Sequence, residues 1–188
     1  MAKQSNNVVT HGLSGKIGNL LVFRQVDGKT VVANAPKKRK VISEPQKEQQ
    51  RKFQRAILYA KSALSVPETG AAYSQAATAK KVKSGYNVAV ADFFHAPDIH
   101  QIDISGYSGQ PGGIIRIQVS DDFLVKSVKV TITNADGSLV EEGSAISDAV
   151  GYLWTYTATS TNDNLDGDKI EITASDLPGN VSQEVINV

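Results

Sequence analysis

Ser127–Glu142 reads SVKVTITNADGSLVEE. Val128, Val130 and Ile132 alternate with Lys129 and Thr131, the period of a strand with one buried face. Asn134-Ala135-Asp136-Gly137 is a turn, and Leu139–Glu142 resumes the extended pattern. Working outward, the same texture recurs at Ile99–Ile104, Gly113–Val119, Tyr152–Ala158, Lys169–Ala174 and Val181–Val188, with turns at Asp166-Gly167 and Pro178-Gly179-Asn180. Ile115, Ile117 and Val119 repeat the alternation. Seven short strands over residues 97–188 predict an immunoglobulin-like β-sandwich. Trp154 is the single tryptophan, flanked at strand spacing by Tyr152 and Tyr156, and is expected in the core.

Two short stretches carry a resemblance. Ser120-Asp121-Asp122 follows the second strand, and Ala174-Ser175-Asp176-Leu177-Pro178-Gly179-Asn180-Val181-Ser182 closes on a DxxGN pattern. In these residues the C-terminal half resembles bacterial immunoglobulin-like domains of surface and virion proteins, in a single copy.

Upstream lies a different kind of chain, Gly12–Leu64, which holds more than half of all Lys and Arg. Asp27-Gly28 separates the apolar run within Lys16–Gln25 from Thr30–Ala33, a β-hairpin signal because tight hairpin turns need positive φ. Gly12, Gly15 and Gly18 fit neither a phosphate loop nor a dinucleotide fingerprint, and serve a bent or closely approached backbone. Pro36–Val41 (PKKRKV) resembles a nuclear-import signal, but short basic runs also form solvated links, which is the reading adopted. Ser43, Pro45 and Gln46 have the order of a capping box opening a helix to about Ser65. On that helix Phe53, Ile57, Ala60 and Leu64 share a face, and Lys47, Arg51, Lys52, Arg55 and Lys61 occupy the others. The Ala-rich Glu68–Lys83 predicts a second helix, Tyr86–Phe94 a short extended run, and His95-Ala96-Pro97 a hinge.

Ser14-Gly15-Lys16-Ile17-Gly18-Asn19, followed by a hairpin, a proline and a Gln-rich basic helix, is similar to an uncharacterised family of Bacteroidota and their phages. The resemblance implies a phage-related setting and no activity. The whole chain is thus expected to be α+β, an N-terminal β-hairpin plus two helices followed by an all-β immunoglobulin-like sandwich. Residues 1–11 form a flexible arm, 12–95 a basic docking or oligomerisation module, and 97–188 an acidic sandwich.

The net charge of +1 conceals an asymmetry. Residues 1–95 carry 16 Lys/Arg against 5 Asp/Glu (+11), and residues 96–188 carry 4 against 14 (−10). A basic half suits nucleic acid or an acidic protein surface, including the acidic half of a neighbouring copy. The apolar runs are far shorter than the roughly 20 residues that span a bilayer, so no membrane partner is expected. The first residues lack an apolar signal core, which predicts a cytoplasmic protein or one held within an assembled particle such as a virion.

Without cysteine there is no thiolate nucleophile, zinc thiolate or disulfide. His11, His95 and His100 form no metalloprotease or triad spacing; His95 and His100, even with Asp98 and Asp103 nearby, lack a clear third ligand. Asn162, Asp163, Asn164, Asp166 and Asp168 are oxygen-rich but lack the EF-hand glutamate, and read as a solvated turn. No catalytic residue, cofactor, metal or small-molecule substrate is therefore expected. The expectation is a non-enzymatic assembly protein of a phage or phage-like particle that self-associates or docks on other structural proteins. Its basic contacts would be Lys37, Lys38, Arg39, Lys40, Arg51, Lys52 and Arg55, and its apolar stripe Phe53, Ile57 and Leu64. The alternatives are a non-specific nucleic-acid-binding protein using the basic helix, and an immunoglobulin-like adhesin.

Overall fold

The computed structural model describes residues 2–4 (as backbone), 9–37 and 42–188. It is α+β. The chain divides into two compact units, Met1–Glu48 and Gln49–Val188. In the first, β1 (Ala2–Gln4), β2 (Gly15–Ile17), β3 (Leu21–Val26) and β4 (Lys29–Asn34) form an antiparallel sheet of order β1-β4-β3-β2. Asp27 (φ 51°) and Gly28 (φ 73°) make the two-residue turn between β3 and β4, the double left-handed geometry that matches strand twist. Gly18 (φ 55°) breaks the run read as one strand into β2 and β3. Gln25 and Thr30 tie down the preceding loop: Gln25 Nε2 donates to Leu13 O at 2.8 Å and Gly12 N to Thr30 Oγ1 at 3.2 Å. Ala2–Gln4, expected in a flexible arm, are instead a strand on β4, because the unpaired edge of a hairpin accepts a further strand.

The helix α1 (Glu44–Ser65) starts as its capping residues predict, with Ser43 N donating to Gln46 Oε1 at 3.3 Å and Lys47 N to Ser43 O at 3.0 Å. Pro67 opens α2 (Pro67–Ala79), and Gly85 opens α3 (Gly85–Asp92). The extended run expected at Tyr86–Phe94 is therefore a helix. Its Val–Ala alternation mimics a strand, but Val88, Ala89 and Asp92 fall on one helical face and are buried. Gly85 lets α3 approach α2; a Cβ there would lie 2.9 Å from Ser74 N. Ala60, Tyr73, Ala77, Val88 and Ala89 form the helical core, against which Tyr59, Leu64 and the sandwich residue Phe123 pack.

The sandwich has two four-stranded antiparallel sheets. One is ordered β5-β6-β10-β9, with β5 (Asp98–Gly106), β6 (Ile114–Ser120), β9 (Ile146–Ser147) and β10 (Leu153–Thr157). The other is ordered β12-β11-β7-β8, with β7 (Val125–Thr133), β8 (Leu139–Ser144), β11 (Lys169–Asp176) and β12 (Val181–Asn187). The chain changes sheet between β6 and β7, β8 and β9, and β10 and β11, the crossing pattern of immunoglobulin-like sandwiches. Ile115, Ile117 and Val119 from one sheet pack with Val128, Val130, Ile132, Ile170, Ile172 and Ala174 from the other in one apolar core. Trp154 closes it at 7% exposure.

The division expected at residues 95–97 is not where the units separate. The helices share their core and polar contacts with the sandwich, so 12–95 is not one module. The first unit carries 9 Lys/Arg against 3 Asp/Glu, and the second 11 against 16. No helix among the described residues is long and apolar enough to cross a membrane.

Candidate functional site at the helix–sandwich junction

The end of α3 meets two sandwich loops. After β11, Asp176 Oδ1 accepts from Gly179 N (2.8 Å) and Asn180 N (2.6 Å), with Gly179 at φ 95°. This fold-back places Asn180 Nδ2 against Asp92 O (3.2 Å), Phe93 O (3.3 Å) and His95 O (2.8 Å), and against Asp176 Oδ2 (2.7 Å). The last carbonyls of a helix have no partner within it. Asn180 supplies one from 85 or more residues away along the chain. Ser182 Oγ donates to Pro97 O in the same place. Within Asp176–Asn180, then, the aspartate shapes the loop, Gly179 permits it, and the asparagine caps the helix.

Asp92, the last residue of α3, is 1% exposed. Its Oδ2 accepts from Tyr73 OH, and Tyr59 OH in turn lies 2.8 Å from Tyr73 OH. Since the Tyr73 proton goes to Asp92, Tyr59 donates to Tyr73. The Tyr73 ring stacks on Phe123, with centroids 4.1 Å apart, so one side chain joins α2, α3 and the sandwich. Burial and then the Asp92 carboxylate push the Tyr73 phenol far above its ordinary value; burial is also the main cause raising Tyr59.

Two further carboxylates converge on Asp92. Asp121, after β6, accepts from Phe123 N (3.3 Å) and Leu124 N (3.1 Å) through Oδ2. One ligating oxygen each from Asp92, Asp121 and Asp176 lies within 4.8 Å of the other two. Asp92 Oδ1 and Asp121 Oδ1 are buried with no hydrogen-bond partner among the described residues. Burial first, and then the charges of Asp121 and Asp176, push the Asp92 carboxyl up to about 7, against the opposing pull of the Tyr73 hydroxyl. Beside this cluster is an open cleft of about 510 Å³ lined by Phe94, His95, Asp98, Ser120, Asp121 and Asp122. His95 Nδ1 is hydrogen-bonded to Asp122 Oδ2, and Lys80 Nζ donates to Asp122 O.

No family model matches the chain, and no curated protein matches it. Among solved structures it is similar to CopC from Methylosinus trichosporium OB3b, at 14% identity and a TM-score of 0.37, over 48% of this chain and 88% of that one. It is also similar to an engineered protein solved by the Northeast Structural Genomics Consortium, at 22% identity and a TM-score of 0.36. That match covers 49% of this chain and only 18% of the engineered one. Neither likeness carries an argument about function.

The residues singled out in the sequence are dispersed. Lys37, Arg51, Lys52 and Arg55 are exposed, and Lys38, Arg39 and Lys40 lie outside the described residues. Phe53 is 49% exposed and stacks on Phe94 at 6.3 Å, with Lys52 Nζ 5.2 Å from the Phe94 centroid. Ile57 is half-buried, and Leu64 packs into the helical core. The fully buried positions of α1 are Ala56 and Ala60, so Phe53, Ile57 and Leu64 are not one free stripe. His100 Nε2 lies 2.6 Å from Ser120 Oγ, on the exposed surface. In the Asn162–Asp168 turn, Asp168 is buried and accepts from Asn162 Nδ2 at 2.6 Å, a structural bond closing the loop, while Asp163, Asn164 and Asp166 are exposed.

Sequence reasoning does not single out Asp92, Tyr73 or Tyr59 as site residues. Asp121, Asp176 and Asn180 stand within the stretches quoted for their resemblance, where nothing local assigns them a chemical role. The legible signal is Asp176-x-x-Gly-Asn itself: an aspartate four residues before an asparagine, with glycine between, is a side-chain-stabilised turn that presents an amide.

Proposed function

We propose that this is a non-enzymatic assembly protein, a component of a phage or phage-like particle, that associates through its basic N-terminal unit and presents an immunoglobulin-like sandwich. The observation that carries the reading is the thin core of that unit. Among its described residues Phe23, Thr30, Val31 and Ala35 are buried, while Leu13, Ile17, Leu20 and Val26 are exposed, Leu20 by 76%. A unit of this size that leaves so many apolar side chains in water is completed by a partner. Among the described residues β2 is an edge strand, whose outer backbone groups a partner strand can pair.

Electrostatics supports the same reading. The N-terminal unit and the exposed Arg51, Lys52 and Arg55 are basic, and the rest of the chain is acidic, so copies attract head to tail. The particle setting rests on the resemblance at Ser14–Asn19. The test is the mass of the full chain by light scattering across concentration, at low and high salt, before and after nuclease. Oligomers free of nucleic acid that dissociate in salt are expected. A monomer at every concentration and salt refutes assembly through this unit, and a monomer that carries nucleic acid until nuclease removes it transfers the role to the basic helix.

A further inference from the structure

Asp92, Asp121 and Asp176 come from three separate elements and meet beneath the junction of helices and sandwich. None is within ion-pair distance of a Lys, Arg or His nitrogen among the described residues. Three carboxylates this close repel unless something positive lies between them. Hydrogen bonds from Tyr73, Phe123, Leu124, Gly179 and Asn180 hold their outer faces, fixing all three in place. Both Asp176 oxygens accept hydrogen bonds, but Asp92, 1% exposed, and Asp121 each keep a buried Oδ1 with no donor among the described residues. An ionised carboxylate oxygen in such a position carries a heavy desolvation cost if left alone.

We propose that Asp92, Asp121 and Asp176 bind a calcium ion that locks the three helices onto the sandwich. The donor set is all oxygen and anionic, as hard divalent cations require, and the oxygens lie within 4.8 Å of one another, the span of two calcium–oxygen bonds of about 2.4 Å. Asp121 also lines the open cleft, which admits water to complete the coordination. The other species able to sit between these oxygens is a proton shared by Asp92 and Asp121. The two differ in their response to added metal.

Full-length protein stripped with chelator is titrated with calcium chloride by calorimetry, and its melting followed by circular dichroism. One site is expected, with a rise in melting temperature of roughly 5–10 °C at about a hundredfold excess over Kd. Asp92→Asn keeps an acceptor for Tyr73 and removes one charge; it is expected to fold, to melt without calcium at least as high as the stripped wild type, and to lose the calcium response. Asp121→Asn retains the Phe123 and Leu124 acceptor and is expected to lose the response as well. The absence of calcium binding up to millimolar concentration, with a stability that depends on pH but not on calcium, assigns the cluster to a shared proton and overturns the proposal. So does an undiminished calcium response in both variants, which would place the ion elsewhere.

Discussion

Replacing Asn180 by alanine tests how the helices are held to the sandwich. Its amide has two protons for four acceptors, and the two shortest contacts are Asp176 Oδ2 at 2.7 Å and His95 O at 2.8 Å. A bond to a carboxylate contributes about 1.5–3 kcal/mol and a neutral one about 1 kcal/mol. Asp92 O and Phe93 O lose their shared donor in the same change. The expected loss is about 3 kcal/mol, or roughly 6–12 °C in melting temperature for a chain of this size. The location of the loss matters more than its size. Trp154, in the sandwich core, reports the sandwich by fluorescence, while ellipticity at 222 nm is dominated by α1–α3. In wild type the two signals should change together. In Asn180→Ala the helical signal should decay at lower urea than the Trp154 signal. A variant within about 0.5 kcal/mol of wild type, with coincident transitions, refutes the capping argument.

Further consequences follow from other close contacts. Gly85→Ala sets a Cβ 2.9 Å from the Ser74 backbone nitrogen, which cannot swing aside; a destabilisation of about 1–3 kcal/mol, confined to the helical signal, is expected. Glu141 is buried in the sandwich; burial alone would raise its carboxyl, but donation from Thr159 N, Thr159 Oγ1 and Ser160 N outweighs it and holds the group below the usual carboxylate range. A folded-state value depressed below the unfolded one stabilises above the unfolded value and is lost as pH falls through the folded one. The stability difference between wild type and Glu141→Gln, measured by urea unfolding, should therefore be full at pH 6–7 and shrink below pH ~4. Charge reversal of Arg51 and Arg55 to Glu should leave melting within about 0.5 kcal/mol of wild type, since both are exposed. The same change should weaken association measured by light scattering at low salt.

The sandwich was legible because its signal is local. Val128, Val130 and Ile132 declare one buried face by alternation, and a positive-φ turn such as Asp27-Gly28 declares a hairpin within four residues. The helix α3 was not legible for the converse reason. Val88 and Val90 alternate with alanines as a strand would, and what makes the segment helical is the burial of Asp92 by Tyr73 and the capping of its end by Asn180. Those partners lie 19 and 88 residues away. No period read along the chain relates them. The same holds for the cluster of Asp92, Asp121 and Asp176, each an ordinary loop or helix-end aspartate in sequence. On α1 the expected face is met at Ala60, fully buried, and at Leu64, which packs beside it, while Phe53 stays exposed; Ala56, also fully buried, stands outside that face because side-chain size gives a lone alanine no weight in a hydrophobic pattern.

The most direct test of the assembly account is backbone hydrogen exchange of the full-length protein at low and high concentration, resolved by peptide. Slower exchange at high concentration in residues 9–34 and along the exposed face of α1 is the predicted result, whether or not the acidic residues of the sandwich gain protection as well. Exchange that does not depend on concentration anywhere, or protection gained only within the sandwich, would contradict it.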